Sequence, residues 1–243
     1  MKKFSIFLLL LVLVQTQTSA QFLKENNFFD ASFSTLGSQS ALSANYHHLH
    51  GLGKAKKFSV GYGVRFTSNY GKKVDFITAP AKLTSGSTGL GVIFTENKLE
   101  NFDTLSLAKY AVNTLNLSIH LNYKFHPKWD VEFNIDALGF SFGKQQTADY
   151  LSSKRLSSPN QDTKQKVKPT SFNLLLVSDN DLGSLNSEIL LHYWFKPKWT
   201  LKLGASFVFA EYTSENKLFL DNNRFRNKAL MGMFGITYSP FTN

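Results

Sequence analysis

Along most of the chain, apolar residues recur at every second position. In FSVGYGVRF, Phe58, Val60, Tyr62, Val64 and Phe66 share one face, and Ser59, Gly61, Gly63 and Arg65 share the other. This is the pattern of a strand whose two faces meet different surroundings. LNLSIHLNYKF repeats it, opposing Leu115, Leu117, Ile119, Leu121, Tyr123 and Phe125 to Asn116, Ser118, His120, Asn122 and Lys124. A third run sets Trp129, Val131, Phe133 and Ile135 against Asp130, Glu132, Asn134 and Asp136. Past DALGF the apolar positions change phase to Leu138, Phe140 and Phe142, which predicts a β-bulge near Ala137 to Gly139. Further runs around Ile189 to Phe195, Trp199 to Phe209 and Leu230 to Tyr238, with weaker ones at FFDASFS and ALSANYHHL, complete the set. The reading is eight strands, at 27–36, 40–49, 57–67, 112–125, 129–143, 184–195, 198–212 and 227–239. The apolar run Ser171 to Val177 is assigned to the long loop after the fifth strand, and ten strands is the alternative.

The content of the two faces separates a membrane barrel from a soluble sandwich. The polar face carries Gly61, Gly63, Gly204 and Gly235 among charged and amide groups, while the other face is crowded with Phe, Leu and Tyr. That arrangement fits a closed sheet with its apolar side in lipid. Runs of ten or more residues match a tilted membrane crossing better than the shorter strands of globular sheets. No later segment approaches eighteen continuous apolar residues, so helical spans are not expected.

Two junctions are written almost twice: YKFHPKWDVEF from Tyr123 and YWFKPKWTLKL from Tyr193. All three tryptophans fall here, and indole and phenol rings favour the membrane–water interface. The junctions are therefore predicted to be short turns on the inner, periplasmic rim. A periplasmic aromatic girdle is expected to comprise Tyr46, Phe58, Tyr123, Phe125, Trp129, Tyr193, Trp194, Phe195, Trp199 and Tyr238. Long connections, Ser68 to Ala111 and Lys144 to Gly183, are expected on the opposite, extracellular rim.

The N-terminus reads MKKFSIFLLLLVLVQTQTSAQ, with two lysines, an apolar run too short to span a bilayer, and Ser19-Ala20 before Gln21. This is the layout of a cleaved secretory signal over residues 1–20, leaving 21–243 as one barrel domain. The exported chain has no cysteine to staple it. Its formal charge of +10 becomes +8 once Lys2 and Lys3 leave. Export makes nucleic acid an unsuitable partner.

An eight-stranded barrel has room inside for its own side chains or one small ligand. The predicted lumen network is Arg65, His120, Lys124, Asp130, Glu132, Asp136, Glu188, His192 and Lys202, with both signs of charge. Opposite buried charges pair, which favours a plugged interior over a diffusion pore. Ser118 and His120 share a face, but that face is the lumen and a lipid substrate lies outside, so no enzyme activity is expected. His47, His48 and His50 are read as rim residues without a metal, since neighbours on a strand point to opposite faces. No cofactor is expected. A basic loop carrying Lys154, Arg155, Lys164, Lys166 and Lys168 could meet an anionic partner.

On the signal ending at Ala20, the alternating runs, the aromatic-Pro-Lys-Trp turns and the closing FGITYSPF, the mature chain resembles the small outer-membrane β-barrels of Gram-negative bacteria, the eight-stranded OmpA/OmpX-like group. The resemblance implies an antiparallel up-and-down transmembrane barrel, monomeric, in contact with membrane lipids and lipopolysaccharide, and handled by the barrel-assembly machinery. The group commonly ends on an aromatic; here Thr242 and Asn243 follow Phe241. The role expected is structural or surface interaction through the long loops, with a narrow porin or small-solute transporter as the alternative.

Overall fold

The computed structural model describes residues 25–85, 98–152, 163–176 and 180–240. The signal segment, Lys154, Arg155, Val177 and the last three residues lie outside these. Among the described residues, eleven strands form one antiparallel sheet: β1 (Glu25–Leu36), β2 (Gln39–Leu52), β3 (Phe58–Thr78), β4 (Thr104–His126), β5 (Trp129–Phe142), β6 (Gln146–Leu151), β7 (Lys164–Pro169), β8 (Phe172–Leu174), β9 (Asn186–Lys196), β10 (Trp199–Ser214) and β11 (Arg224–Tyr238).

The pairings run in two circuits. In the first, each of β1 to β5 pairs with the next, β5 pairs with β9, β9 with β10, β10 with β11, and β11 returns to β1. These eight are the runs read from the alternation. Four of them continue beyond the first circuit. There β3 pairs with β4, β4 with β6, β6 with β7, β7 with β10, β10 with β11, and β11 with β3. The molecule is thus two stacked tiers, a lower ring of eight strands and an upper ring of six. Closure leaves neither ring an open edge.

In the lower tier the apolar positions face outward and the polar positions inward, the reverse of a soluble sheet. Leu117, Ile119, Leu203, Leu230 and Phe234 are exposed, whereas Arg65, Asn116, His120, Glu132 and Lys202 are buried. The predicted bulge is present. Leu117 pairs with Leu138 and Ser118 with Asp136, leaving Ala137 as the extra residue. The turns at 127–128 and 197–198 lie at one end together with the 53–57 connection, and the long connections lie at the other.

The upper tier corrects the reading of Ser68 to Ala111 and Lys144 to Gly183 as loops. β3 runs to Thr78 and β4 starts at Thr104. At Lys73, which adopts φ of 52°, the inward set of β3 passes from Arg65, Thr67 and Asn69 to Val74, Phe76 and Thr78. On β4 it passes from Tyr110 and Val112 to Leu105 and Leu107. Above this level the apolar residues face inward, so the period-two signal continues with its polarity inverted. Phe76 packs edge-on against Tyr110 and Tyr212, with ring centroids 5.3 and 5.2 Å apart. Leu105, Tyr150, Val167 and Phe225 complete a core to which all six strands contribute. The segment at Ser171 adds the short strand β8, which pairs with β5 above the end of β9.

Candidate functional site

The lower tier encloses a continuous polar network. Arg65 of β3 reaches across to β5 and β9. Its Nε and Nη2 donate to Asp136 Oδ1 at 2.9 and 2.5 Å, and Nη1 donates to Asn134 Oδ1 at 2.7 Å and pairs with Glu188 Oε2 at 2.9 Å. The second Asp136 oxygen accepts from the Asn116 amide at 2.7 Å and from the Asn186 backbone N–H at 2.9 Å. Ions taken out of water cost several kcal/mol each unless partners surround them, and here the guanidinium and both carboxylates are so surrounded.

Towards the short-turn end, Asp30 accepts from Thr237 at 2.5 Å and Asn45 at 3.1 Å, with His47 Nδ1 at 2.9 Å and Lys202 Nζ at 3.3 Å in ion-pair range, and the Asn45 amide lies 3.2 Å from His47 Nδ1. Asp130 accepts from His192 Nδ1 at 2.7 Å, Asn122 at 2.6 Å and Trp194 Nε1 at 2.5 Å. His120 lies between Ser118 Oγ, 2.8 Å from Nε2, and Glu132 Oε1, 3.0 Å from Nδ1. Its ring stacks on that of His47, 4.4 Å away and 8° from parallel, and His47 stacks in turn on Phe28. The stack fits because Gly63 faces it: a Cβ there would lie 2.9 Å from His120 Nε2 and 2.8 Å from His47 Cβ.

All nine lumen residues named from the sequence face inward, eight of them buried and Lys124 half-buried with its ammonium 4.7 Å from the Trp194 ring. The network has more members than the alternation revealed. Asp30 and His47 belong to it, and His47 is thus corrected from a rim residue to a buried one. Trp194 is corrected too: it is buried and points inward, because it stands between the outward Tyr193 and Phe195 and neighbours on a strand face opposite sides. The other nine girdle residues lie on the outer face, with Trp129 against Tyr193 and Trp199 against Tyr238 at 4.7 and 4.8 Å. Lys164, Lys166 and Lys168 sit on the outer face of β7, alternating with buried Gln165, Val167 and Pro169, so this part of the basic loop is a strand.

Where polar lumen meets apolar core, Glu211 accepts from Arg224 and Arg226, and Arg226 also donates to the Asp181 carbonyl. The polar filling and the apolar core therefore follow one another along the axis.

Serine, histidine and carboxylate linked in that order form the relay of nucleophilic hydrolases. Ser118 Oγ, however, points into the packed lumen, and the residue is only 2% exposed. The outer-face trough beside Gly63, Ser118 and Ala137 is lined by Tyr46, Tyr62, Leu117 and Leu138, across the sheet from that hydroxyl.

No protein-family model matches the chain, and no curated protein matches it. Among solved structures it is similar to the outer membrane protein Ail of Yersinia pestis, at 11% identity and a TM-score of 0.38, covering 89% of this chain and 99% of Ail. It is similar to Neisserial surface protein A at 11% identity and a TM-score of 0.32, covering 88% and 93%. A major outer membrane protein of Thermus thermophilus gives 13% identity and a TM-score of 0.34, covering 88% and 99%. All three of these TM-scores lie below 0.5.

Proposed function

We propose that this chain is an outer-membrane β-barrel of a Gram-negative bacterium whose lumen is plugged and whose role is structural or in surface interaction. A wide apolar exterior around a charged interior is the arrangement of a protein immersed in lipid, and an all-antiparallel closed sheet satisfies its backbone there. The observation that carries the plugged reading is Arg65, bonded across the lumen to Asp136 and Glu188 with the apolar core above it. A solute would have to break both. The upper tier then stands on the extracellular side as a rigid extension, with Lys72, Lys73, Lys109, Lys166 and Lys168 exposed on its outside. This basic surface suits phosphate groups of lipopolysaccharide or another anionic partner. Ser118, His120 and Glu132 act as inward packing and not as an enzyme.

Purified protein in planar bilayers tests this reading. It is expected to leave the bilayer electrically silent at high protein load. Reproducible stepwise conductance would overturn the plug and favour the small-solute transporter.

A further inference from the structure

The outer face of the lower tier is indented between β2 and β5. There a trough of about 480 Å³ has Tyr46 and Tyr62 on one flank, Leu138 on the other, and Val64, Leu117 and Ile119 along its floor. It lies where the bulge at Ala137 bends β5 and sets a methyl group among larger neighbours. Tyr62, 67% exposed, stands out from the sheet and forms a wall. Both tyrosines are held in place. Tyr46 Oη donates to Asn27 Oδ1 at 2.8 Å, and the Tyr62 ring packs 5.7 Å from that of His48. A groove with fixed walls loses little freedom when it is filled.

Lipid tails surround this whole face, so apolar character alone does not keep one molecule in place. Inside a bilayer, lasting association comes from close packing and polar contacts. The trough supplies the packing, because a flexible chain seated in it touches a floor and two flanks. The polar contact lies at the foot of the same strands. The 53–57 connection exposes Lys54 and Lys57, while Lys56 turns to the lumen, and no acidic residue occurs in the sequence from Ala31 to Val74. An ammonium on a flexible stem reaches lipid phosphate from such a rim. The spacing fits as well. From Lys57 to Val64 the chain rises about 23 Å at ~3.3 Å per residue, which a tilt of about 35–45° reduces to about 16–19 Å across the membrane. One leaflet contributes about 15 Å of hydrocarbon. A phosphate at the turn therefore brings the far half of its acyl chain to the trough.

We propose that this face holds one diacyl phospholipid of the inner leaflet, with an acyl chain between Tyr46, Tyr62 and Leu138 and its phosphate at Lys54 and Lys57. The inference rests on the membrane reading above but not on the plug.

The test adds phosphatidylglycerol in rising amounts to the full chain in detergent micelles and counts bound lipids by native mass spectrometry. One lipid is expected to bind well ahead of any other. Ile119→Trp fills the trough and is expected to weaken that first lipid at least about fivefold. Leu203→Trp, on the outer face of β10, is expected to leave it unchanged. Lys54→Gln and Lys57→Gln are each expected to weaken it about fivefold, the scale of one basic residue beside a lipid surface. Circular dichroism checks each variant's fold, and the wild-type count stands without them. A graded series with no preferred first lipid would mean a general lipid coat and would overturn the proposal. Equal effects of Ile119→Trp and Leu203→Trp would overturn the trough as the site. Retention of lipopolysaccharide in place of phospholipid, in chain extracted from bacterial membranes, would overturn the inner-leaflet assignment. A chain that enters lipid vesicles but shows only the graded coat sinks the lipid site alone, whereas a chain that stays dissolved beside them sinks the membrane reading with it.

Discussion

The lower and upper tiers share β3, β4, β10 and β11, yet they invert each other. Along β3, Tyr62, Val64 and Phe66 point out below Lys73, while Val74 and Phe76 point in above it. The lower tier holds its interior with ion pairs and amides; the upper tier holds its interior with Phe76, Tyr110, Tyr212 and their neighbours. Alternation announces that a strand has two different faces. Which face is the inside depends on what surrounds the strand, and here that changes within one strand. The upper tier is built like an ordinary water-soluble sheet, and the lower one like a sheet turned inside out.

Removing the central charge of the lower tier challenges this contrast most severely. Arg65→Met strands Asp136 and Glu188 in the lumen and is expected to cost about 3–5 kcal/mol, read by urea unfolding in lipid vesicles. Unchanged stability would show that the plug is not held by ions. Phe76→Ala in the upper tier is expected to cost about 3 kcal/mol through the cavity it leaves. That loss should be confined to the upper ring, so protease cutting above Lys73 rises while the lower ring stays folded.

Alkali separates the tiers more gently. Burial pushes the hydroxyls of Tyr150 and Tyr212 up to about 12, and Tyr150 also donates to Asp103. A raised phenol favours the folded state below its ordinary pKa of about 10, and that contribution is lost as pH passes the folded value. Ultraviolet titration should therefore find these two ionising late, with the upper tier loosening between about pH 10 and 12. A weaker effect again belongs to the exposed pair Lys72 and Lys109, which face each other across β3 and β4. Lys109→Glu should stabilise by about 0.2–1 kcal/mol, by replacing repulsion with attraction, in thermal unfolding at low salt.

The runs at Phe58, Leu115, Trp129 and Trp199 are legible because each holds one phase long enough to separate its faces. The bulge at Ala137 is legible for the same reason, as a break in that phase. The extensions of β3 and β4 escape the pattern because their apolar residues change phase beside lysines, which looks locally like a loop. Asp30 is hidden because its strand alternates weakly, and His47 because three histidines in four positions suggest a rim. The aromatic neighbours of Trp194 point to the girdle, but its parity along β9 decides the matter.

Residue spacing within a few positions is enough to set the eight principal strands, their short turns and the polar character of one face, because each of these is a local property of the chain. The meeting of Arg65 with Asp136 and Glu188, the stacking of His47 on His120 and the closure of a six-stranded ring above them come only with the folded molecule. Those contacts join residues far apart in the chain. Their distances follow from how the closed sheet brings strands across a common interior, which no local pattern records.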